Sequence, residues 1–262
     1  MNIIHEDWRS FPMPSHQILF DQLTSLRMSA FRQALEAQLA SPIYDEFSFE
    51  ERLSLLVEHE CVQRQNNRFR RRIRQARFQQ TALVQDIDFS AKRGLHRQQV
   101  LQLAQTTWIH KSLNLIITGP TGAGKTYIAC ALGRAACDLD LSVRYFRLPH
   151  FFQEIKKAQL EGGYPRLVRS FKKTDLLILD DWLRDSPSLS EAQSLLDILD
   201  DRYSRFSTML ATQFPIDIWH SRIPDPTLAD AILDRLVHNA HRINLQGDSQ
   251  RKIRSESALS DS

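Results

Sequence analysis

Residues 119–126 read GPTGAGKT, and few strings of eight residues restrict a fold so tightly. The segment leading into it, LNLIITG, is a short apolar run of strand-forming residues, and a helix-compatible run follows from Gly124. Gly119, Gly122 and Gly124 permit backbone conformations and close approaches that a Cβ would block. Successive N–H groups of such a turn can wrap a phosphate, and the helix N-terminus adds favourable partial charge. Pro120, Thr121, Ala123 and Tyr127 complete the candidate cradle. Lys125 is expected to reach the β- and γ-phosphates of a nucleotide, with the Thr126 hydroxyl on magnesium. A chance glycine-rich turn is the weaker reading, because strand, loop and helix come in the required order. ATP and Mg2+ are the expected cofactors.

The rest of the chain falls into three zones. From about Leu19 to Gln80 it reads as helical, without glycine and with one proline, Pro42, as a break. Ser48 followed by Glu51 has the spacing of a capping box, starting the next helix. That helix runs into RQNNRFRRRIRQARF, where Arg64, Arg68, Arg70, Arg71, Arg72, Arg74 and Arg77 occur without an intervening acidic residue. Such a run repels itself along a helix, and neutralising nucleic-acid phosphates would relieve that repulsion. Phe69 and Phe78 either stack on bases or pack into the core. Residues 81–111 form a connector that adds Lys92, Arg93 and Arg97 to the positive charge.

From Ser112 the pattern changes to alternating strands and helices. LNLIITG, SVRYFRL, DLLILDD, STMLATQ and HRINLQ are the predicted strands, with helices from Gly124, over 149–160, over 190–206 and after Pro226. This alternation predicts an α/β fold with a doubly wound parallel five-stranded sheet, preceded by a small all-helical N-terminal domain. DLLILDD is continuously apolar, as a strand covered on both faces should be, and ends in two carboxylates. Strands of such sheets present their carboxyl ends to ligands. Asp180 is therefore expected to hold magnesium and Asp181 to polarise the attacking water.

Cys61, Cys130 and Cys137 make no disulfide or metal framework, and Cys130 and Cys137 read as buried thiols of one helix. His238 and His241 lack metal-ligand company. The N-terminus has neither the basic start nor the apolar run of a signal peptide, and no stretch approaches a membrane span of roughly 18 apolar residues. A soluble cytoplasmic protein without a membrane partner is expected.

GPTGAGKTYIACALG, LSVRYFRLP, TDLLILDDW and DPTLADAILDRLVHNAHRINLQGDSQRK together resemble the IstB family, the ATP-binding transposition helpers of bacterial insertion sequences. LTSLRMSAF and IDFSAKRGL extend the resemblance over nearly the whole chain. It implies an AAA+ P-loop NTPase module similar to that of the DnaC helicase loaders. On that basis residues 1–80 are the helical domain contacting DNA or partner, 81–111 the connector, 112–254 the ATPase domain and 255–262 a disordered tail. STMLATQFP is similar to the AAA+ sensor strand, which makes Gln213 the first and Thr212 the second candidate to contact the γ-phosphate or water. Arg235 falls where the AAA+ pattern places an arginine finger for a neighbouring subunit's ATP; an ion pair with Asp230 or Asp234 is the competing reading. Arg251 lies where the family carries an arginine near the end of the module, with a second nucleotide sensor and a DNA contact as its two open readings.

The resemblance implies ATP-dependent self-assembly as a homo-oligomer on double-stranded DNA, recruitment or stimulation of a partner transposase, and resetting by ATP hydrolysis. Two other readings stay open, a helicase loader and an ATP-binding DNA clamp with little turnover. Three positions depart from the family's pattern. Asp181 stands where Glu is frequent, Leu183 where glycine is frequent and Gln250 where Met or Tyr is common. The first two bear on the rate of hydrolysis.

Overall fold

The computed structural model describes residues 16–89 and 93–247, and the chain divides between Arg68 and Phe69 into two compact units. Lys92, Gln250, Arg251 and the expected tail at 255–262 lie outside the described residues.

In the first unit, α1 (His16–Ser25) and α2 (Ser29–Ala40) precede a 3-10 turn at Pro42–Glu46, and α3 (Phe49–Ala76) follows, its residues from Phe69 onward belonging to the second unit. The break thus falls at Pro42, as expected. The capping box is present: the Glu51 N–H donates to Ser48 Oγ at 3.3 Å, and the Ser48 N–H donates to the Glu51 carboxylate at 2.8 Å. Of the described apolar side chains before Phe69, Leu23, Ala30 and Leu56 are the buried ones. Polar ties add to them. The buried Glu60 carboxylate accepts from the Phe31 N–H at 2.9 Å, satisfying a donor in the first turn of α2, and from Arg64 at 2.7 Å.

In the second unit, five parallel strands take the order β2-β3-β4-β1-β5. They are β1 (Asn114–Thr118), β2 (Val143–Arg147), β3 (Leu176–Asp180), β4 (Ser207–Thr212) and β5 (Ala240–Asn244). The helices are α4 (Arg97–Ala104), α5 (Thr107–His110), α6 (Lys125–Asp138), α7 (Leu148–Leu160), α8 (Tyr164–Lys172), α9 (Leu189–Arg202), α10 (Trp219–Arg222) and α11 (Pro226–Val237). Every residue of β3 and β4 is buried. Because strand side chains alternate, Leu115, Ile117, Leu176, Ile178 and Met209 join the core under α6. Ile116, Leu177, Leu179 and Leu210 join the opposite core with α7, α9 and α11. The sheet is doubly wound, and each apolar strand is continuous because both of its faces are covered.

Phe69, Ile73 and Phe78 pack against the α6-side core. A Cβ at Gly133 of α6 would come within 2.7 Å of Phe78 Cε1. Of the two alternatives for Phe69 and Phe78, the structure takes core packing. Four helices appear that the sequence reading had not placed: α4 and α5 within the connector, α8, and α10. The region of α8 opens with Gly162, Gly163 and Pro165 and so reads as a loop, yet proline is tolerated in a helix's first turn. Among the described residues no helix is long and apolar enough to cross a membrane.

Candidate functional site

The carboxyl ends of β1, β3 and β4 open into a cavity of about 340 Å³, lined in part by Thr121, Lys125, Thr126, Asp180, Asp181 and Gln213. The loop after β1 is built on glycines in the left-handed region, Gly119 at φ 149°, Gly122 at 84° and Gly124 at 93°. Two of them also lack room for a side chain. A Cβ at Gly119 would lie 2.7 Å from the Leu245 carbonyl oxygen, and one at Gly124 would lie 2.6 Å from Arg93 Nη2. The loop is thus held close to its surroundings, and Thr121, Gly122 and Gly124 line the cavity. The Lys125 ammonium donates to the carbonyl oxygens of Gly119 at 2.9 Å and Pro120 at 2.8 Å. Ala123 is buried, and its carbonyl accepts from Arg93 at 2.6 Å. Burial lowers the Lys125 pKa, while Asp180 and Asp181 oppose that shift. A phosphate beside this amine would offset the cost of its burial, so the cradle fits an anion.

Thr126 and Asp180 meet across the site. The Thr126 hydroxyl donates to Asp180 Oδ2 at 2.6 Å, and the Tyr145 hydroxyl donates to the same oxygen at 2.7 Å. Asp180 Oδ1 accepts from the Asp181 N–H at 2.8 Å. Burial and the adjacent Asp180 push the Tyr145 phenol far up, so it remains a donor. A hydroxyl and a carboxylate oxygen this close are a suitable hard-oxygen pair for Mg2+. Among the described residues no cluster of three or more His, Cys, Asp or Glu could hold an ion alone. A cation here would take the rest of its shell from phosphate and water.

Asp181 is held differently. Its Oδ2 accepts from Arg147 Nε at 2.7 Å and lies 2.6 Å from Arg147 Nη2 and 3.3 Å from Arg184 Nη1. The register pairs Arg147 with Asp180, which places the arginine at the same sheet edge. Asp181 and Leu183 both adopt left-handed backbone, at φ 53° and 52°. A leucine in this conformation at position 183 carries strain of order 1–2 kcal/mol. Leu183 is also fully buried in the core beneath the turn.

Of the two sensor candidates, Gln213 lines the cavity and its Oε1 accepts from the Thr121 hydroxyl at 2.7 Å. Thr212 is buried, and its hydroxyl donates to the Trp182 carbonyl at 2.8 Å, pinning the turn after Asp181. Tyr127 also lines the cavity, its hydroxyl accepting from the Leu83 N–H at 3.4 Å. Arg235 does not line it. The side-chain amide of Asn114, the first residue of β1, donates to the Arg235 carbonyl at 2.9 Å. Arg235 therefore stands at the far end of β1 from the phosphate loop. Its guanidinium pairs with Asp200 and approaches Asp234 at 3.7 Å, while Asp230 lies beside His220.

Among the seven arginines, Arg64 pairs with Glu60, Arg72 with Asp140 at 2.5 Å and Arg77 with Glu154 at 3.5 Å. Arg68, Arg70, Arg71 and Arg74 are exposed and have no carboxylate partner among the described residues. Arg93, counted with the connector's surface charge, is instead buried in the cavity wall, donating to Asp88 and Ala123 carbonyls at 2.6 Å each. Arg93, Tyr145, Arg147 and Arg184 are the site residues that sequence reasoning missed. Tyr145 and Arg147 alternate along SVRYFRL toward its carboxyl end, a signal that could have marked them once that strand was placed beside β3. Cys130 and Cys137 are buried as expected, with thiols raised by burial to about 11 and about 12.

Comparisons with known proteins agree with this geometry. An insertion-sequence ATP-binding protein of Sinorhizobium fredii is 41% identical over 92% of this chain and 98% of its own length. The corresponding protein of the insertion sequence IS21 from Pseudomonas aeruginosa is 30% identical over 87% of this chain and 86% of its own. Among solved structures, the DnaC helicase loader aligns over 63% of this chain and 97% of its own, at TM-score 0.50 and 17% identity. DnaI aligns over 68% and 94%, at TM-score 0.55 and 21% identity. AMPPCP-bound DnaA from Aquifex aeolicus aligns over 70% and 56%, at TM-score 0.55 and 18% identity. These likenesses establish the AAA+ P-loop fold. The model of the IstB-like ATP binding proteins matches residues 21–258, and with relatives of this identity and coverage the chain belongs to that insertion-sequence family.

Proposed function

We propose that this chain is an ATP-dependent, DNA-binding helper of transposition, acting in the cytoplasm. In this reading it self-assembles on double-stranded DNA with ATP bound, recruits or stimulates a partner transposase, and is reset by hydrolysis. The observation that carries it is the joined pair Thr126–Asp180 beside Lys125, in a chain of the insertion-sequence family. Residues 112–254 bind and turn over ATP, 81–111 connect, and residues 1–80 contact DNA or the partner. Gly119 to Tyr127 cradle the phosphates, Lys125 neutralises their charge, and Thr126 and Asp180 hold Mg2+, which supplies further charge neutralisation. Asp181 orients and polarises water, with Gln213 sensing the γ-phosphate.

Two features favour ATP as an assembly switch rather than fuel for rapid turnover. Asp181 must leave Arg147, and loosen from Arg184, before it can face a water. Arg235 stands outside its own chain's cavity, so a role at ATP places it at a neighbour's, where such a finger supplies roughly 10³–10⁵ in rate. It would exchange Asp200 for that phosphate.

The test is DNA binding by the purified protein with ATP, with ADP and without nucleotide, for wild type and Lys125→Ala. ATP-dependent binding that Lys125→Ala removes is expected. Equal binding in every case would sink the switch. Phosphate release with DNA present, abolished by Asp180→Ala, separates an ATPase from a static clamp.

A further inference from the structure

Beyond the nucleotide site, the end of α3 borders a second cavity of about 410 Å³, walled by Arg74, Arg77 and Arg134. Residues Gln79, Gln80 and Thr81 add amide and hydroxyl donors to its lining, and no carboxylate takes part. Arg134 of α6 is the unusual member. Its Nε is buried without a hydrogen-bond partner, and its guanidinium stands 5.3 Å from the Phe69 ring centroid. Asp138, one turn along α6, is within electrostatic reach of Arg134. Arg74 has no ion pair among the described residues, and the Arg77–Glu154 pair is long and exposed. Phe78 packs closely against Gly133 at its floor.

Three guanidiniums around one cavity repel each other. A phosphate would relieve that repulsion, since guanidinium forks match its oxygens. Resting on the DNA-binding reading above, we infer that this cavity seats a phosphodiester of the DNA backbone, held by Arg74, Arg77 and Arg134. A backbone suits it better than a lone anion, because the exposed Arg70 and Arg71 continue along α3 from its rim. Gln80 lines both this cavity and the nucleotide cavity, so DNA and ATP would occupy two sides of one residue.

The experiment is the salt dependence of duplex binding with ATP, for wild type, Arg74→Met, Arg134→Met and the control Lys111→Met. Methionine keeps an unbranched apolar stem over Phe69, and Arg74 is exposed, so its variant carries the test even where Arg134→Met fails to fold. Each cavity variant should bind about 5- to 10-fold more weakly at moderate salt. Its log–log salt slope should be smaller by roughly 1, the signature of one lost phosphate contact. Lys111→Met should match wild type. Wild-type slopes in both cavity variants, or losses no greater than the control's, would overturn the inference while DNA binding stands. A wild type that binds no duplex would overturn the broader reading as well.

Discussion

The two units hold themselves together by opposite means. The sheet unit buries whole strands: β3 and β4 have no exposed residue, and apolar cores close over both faces of the sheet. The helical unit buries Leu23, Ala30 and Leu56, and leaves Phe49 74%, Ile43 71% and Leu26 65% exposed. Its interior contacts are largely polar, Glu60 to Phe31 and Gln38 to Arg52. Hydrogen bonds of this kind contribute roughly 0.5–1.5 kcal/mol each, against about 1.5–3 for a fully buried leucine. The phosphate loop needs fixed geometry and is anchored in the deep core.

The sharpest way to break this contrast is to truncate one leucine in each unit. Leu177→Ala, within β3, should cost about 3–5 kcal/mol, because the surrounding strands cannot collapse onto the void. Leu56→Ala should cost about 2 kcal/mol, since helices near solvent relax more easily. Urea unfolding followed by circular dichroism measures both. Equal losses would mean that the helical unit is as tightly packed as the sheet. Next in size is Lys125→Ala, which should weaken binding of a fluorescent ATP analogue about 30- to 100-fold. Unfolding of the helical unit should be unaffected. A shift in its melting would show that the loop's charge reaches beyond the sheet unit.

How far each region could be read follows the same division. The strands, the phosphate loop and Asp180 were legible because they rest on local chemistry: continuous apolar runs, left-handed glycines and carboxylates at a strand end. The N-terminal break and capping box were legible for the same reason. Arg93, Tyr145 and Arg147 were not, because each meets the site through strand order and loop packing, which no local spacing encodes. Arg184 follows Asp181 by three residues, and it is the left-handed turn between them that brings the two together. Arg235 lies between these cases. Its helix was foreseen, but not its pairing with Asp200 of α9.

The turn after Asp181 allows a smaller test, in which two effects oppose. Leu183→Gly would relieve about 1–2 kcal/mol of left-handed strain. It would also remove a fully buried leucine from beside α9 and α10, at about 3–5 kcal/mol. The cavity term wins, so the variant should be less stable by about 2 kcal/mol in thermal unfolding. A gain in stability would show that backbone strain, rather than packing, dominates the floor of the site.

The smallest effect belongs to the helical unit and to pH. Burial pushes the Glu60 carboxyl up, but hydrogen bonds from Phe31, Arg64 and Ala30 outweigh it, leaving the pKa below its ordinary 4.5. A carboxyl with a depressed folded pKa contributes its stability in full above the unfolded value. That contribution is lost as pH falls from about 4.5 through the folded value. Glu60→Gln should therefore lower neutral-pH stability by about 1 kcal/mol or less and remove this part of the acid sensitivity. The check is the difference in melting temperature between wild type and variant, measured from pH 7 down to pH 3. A difference that stays constant across that range would mean that Glu60 acts through its shape rather than its charge. The polar stitching that sets the helical unit apart from the sheet would then owe nothing to ionisation.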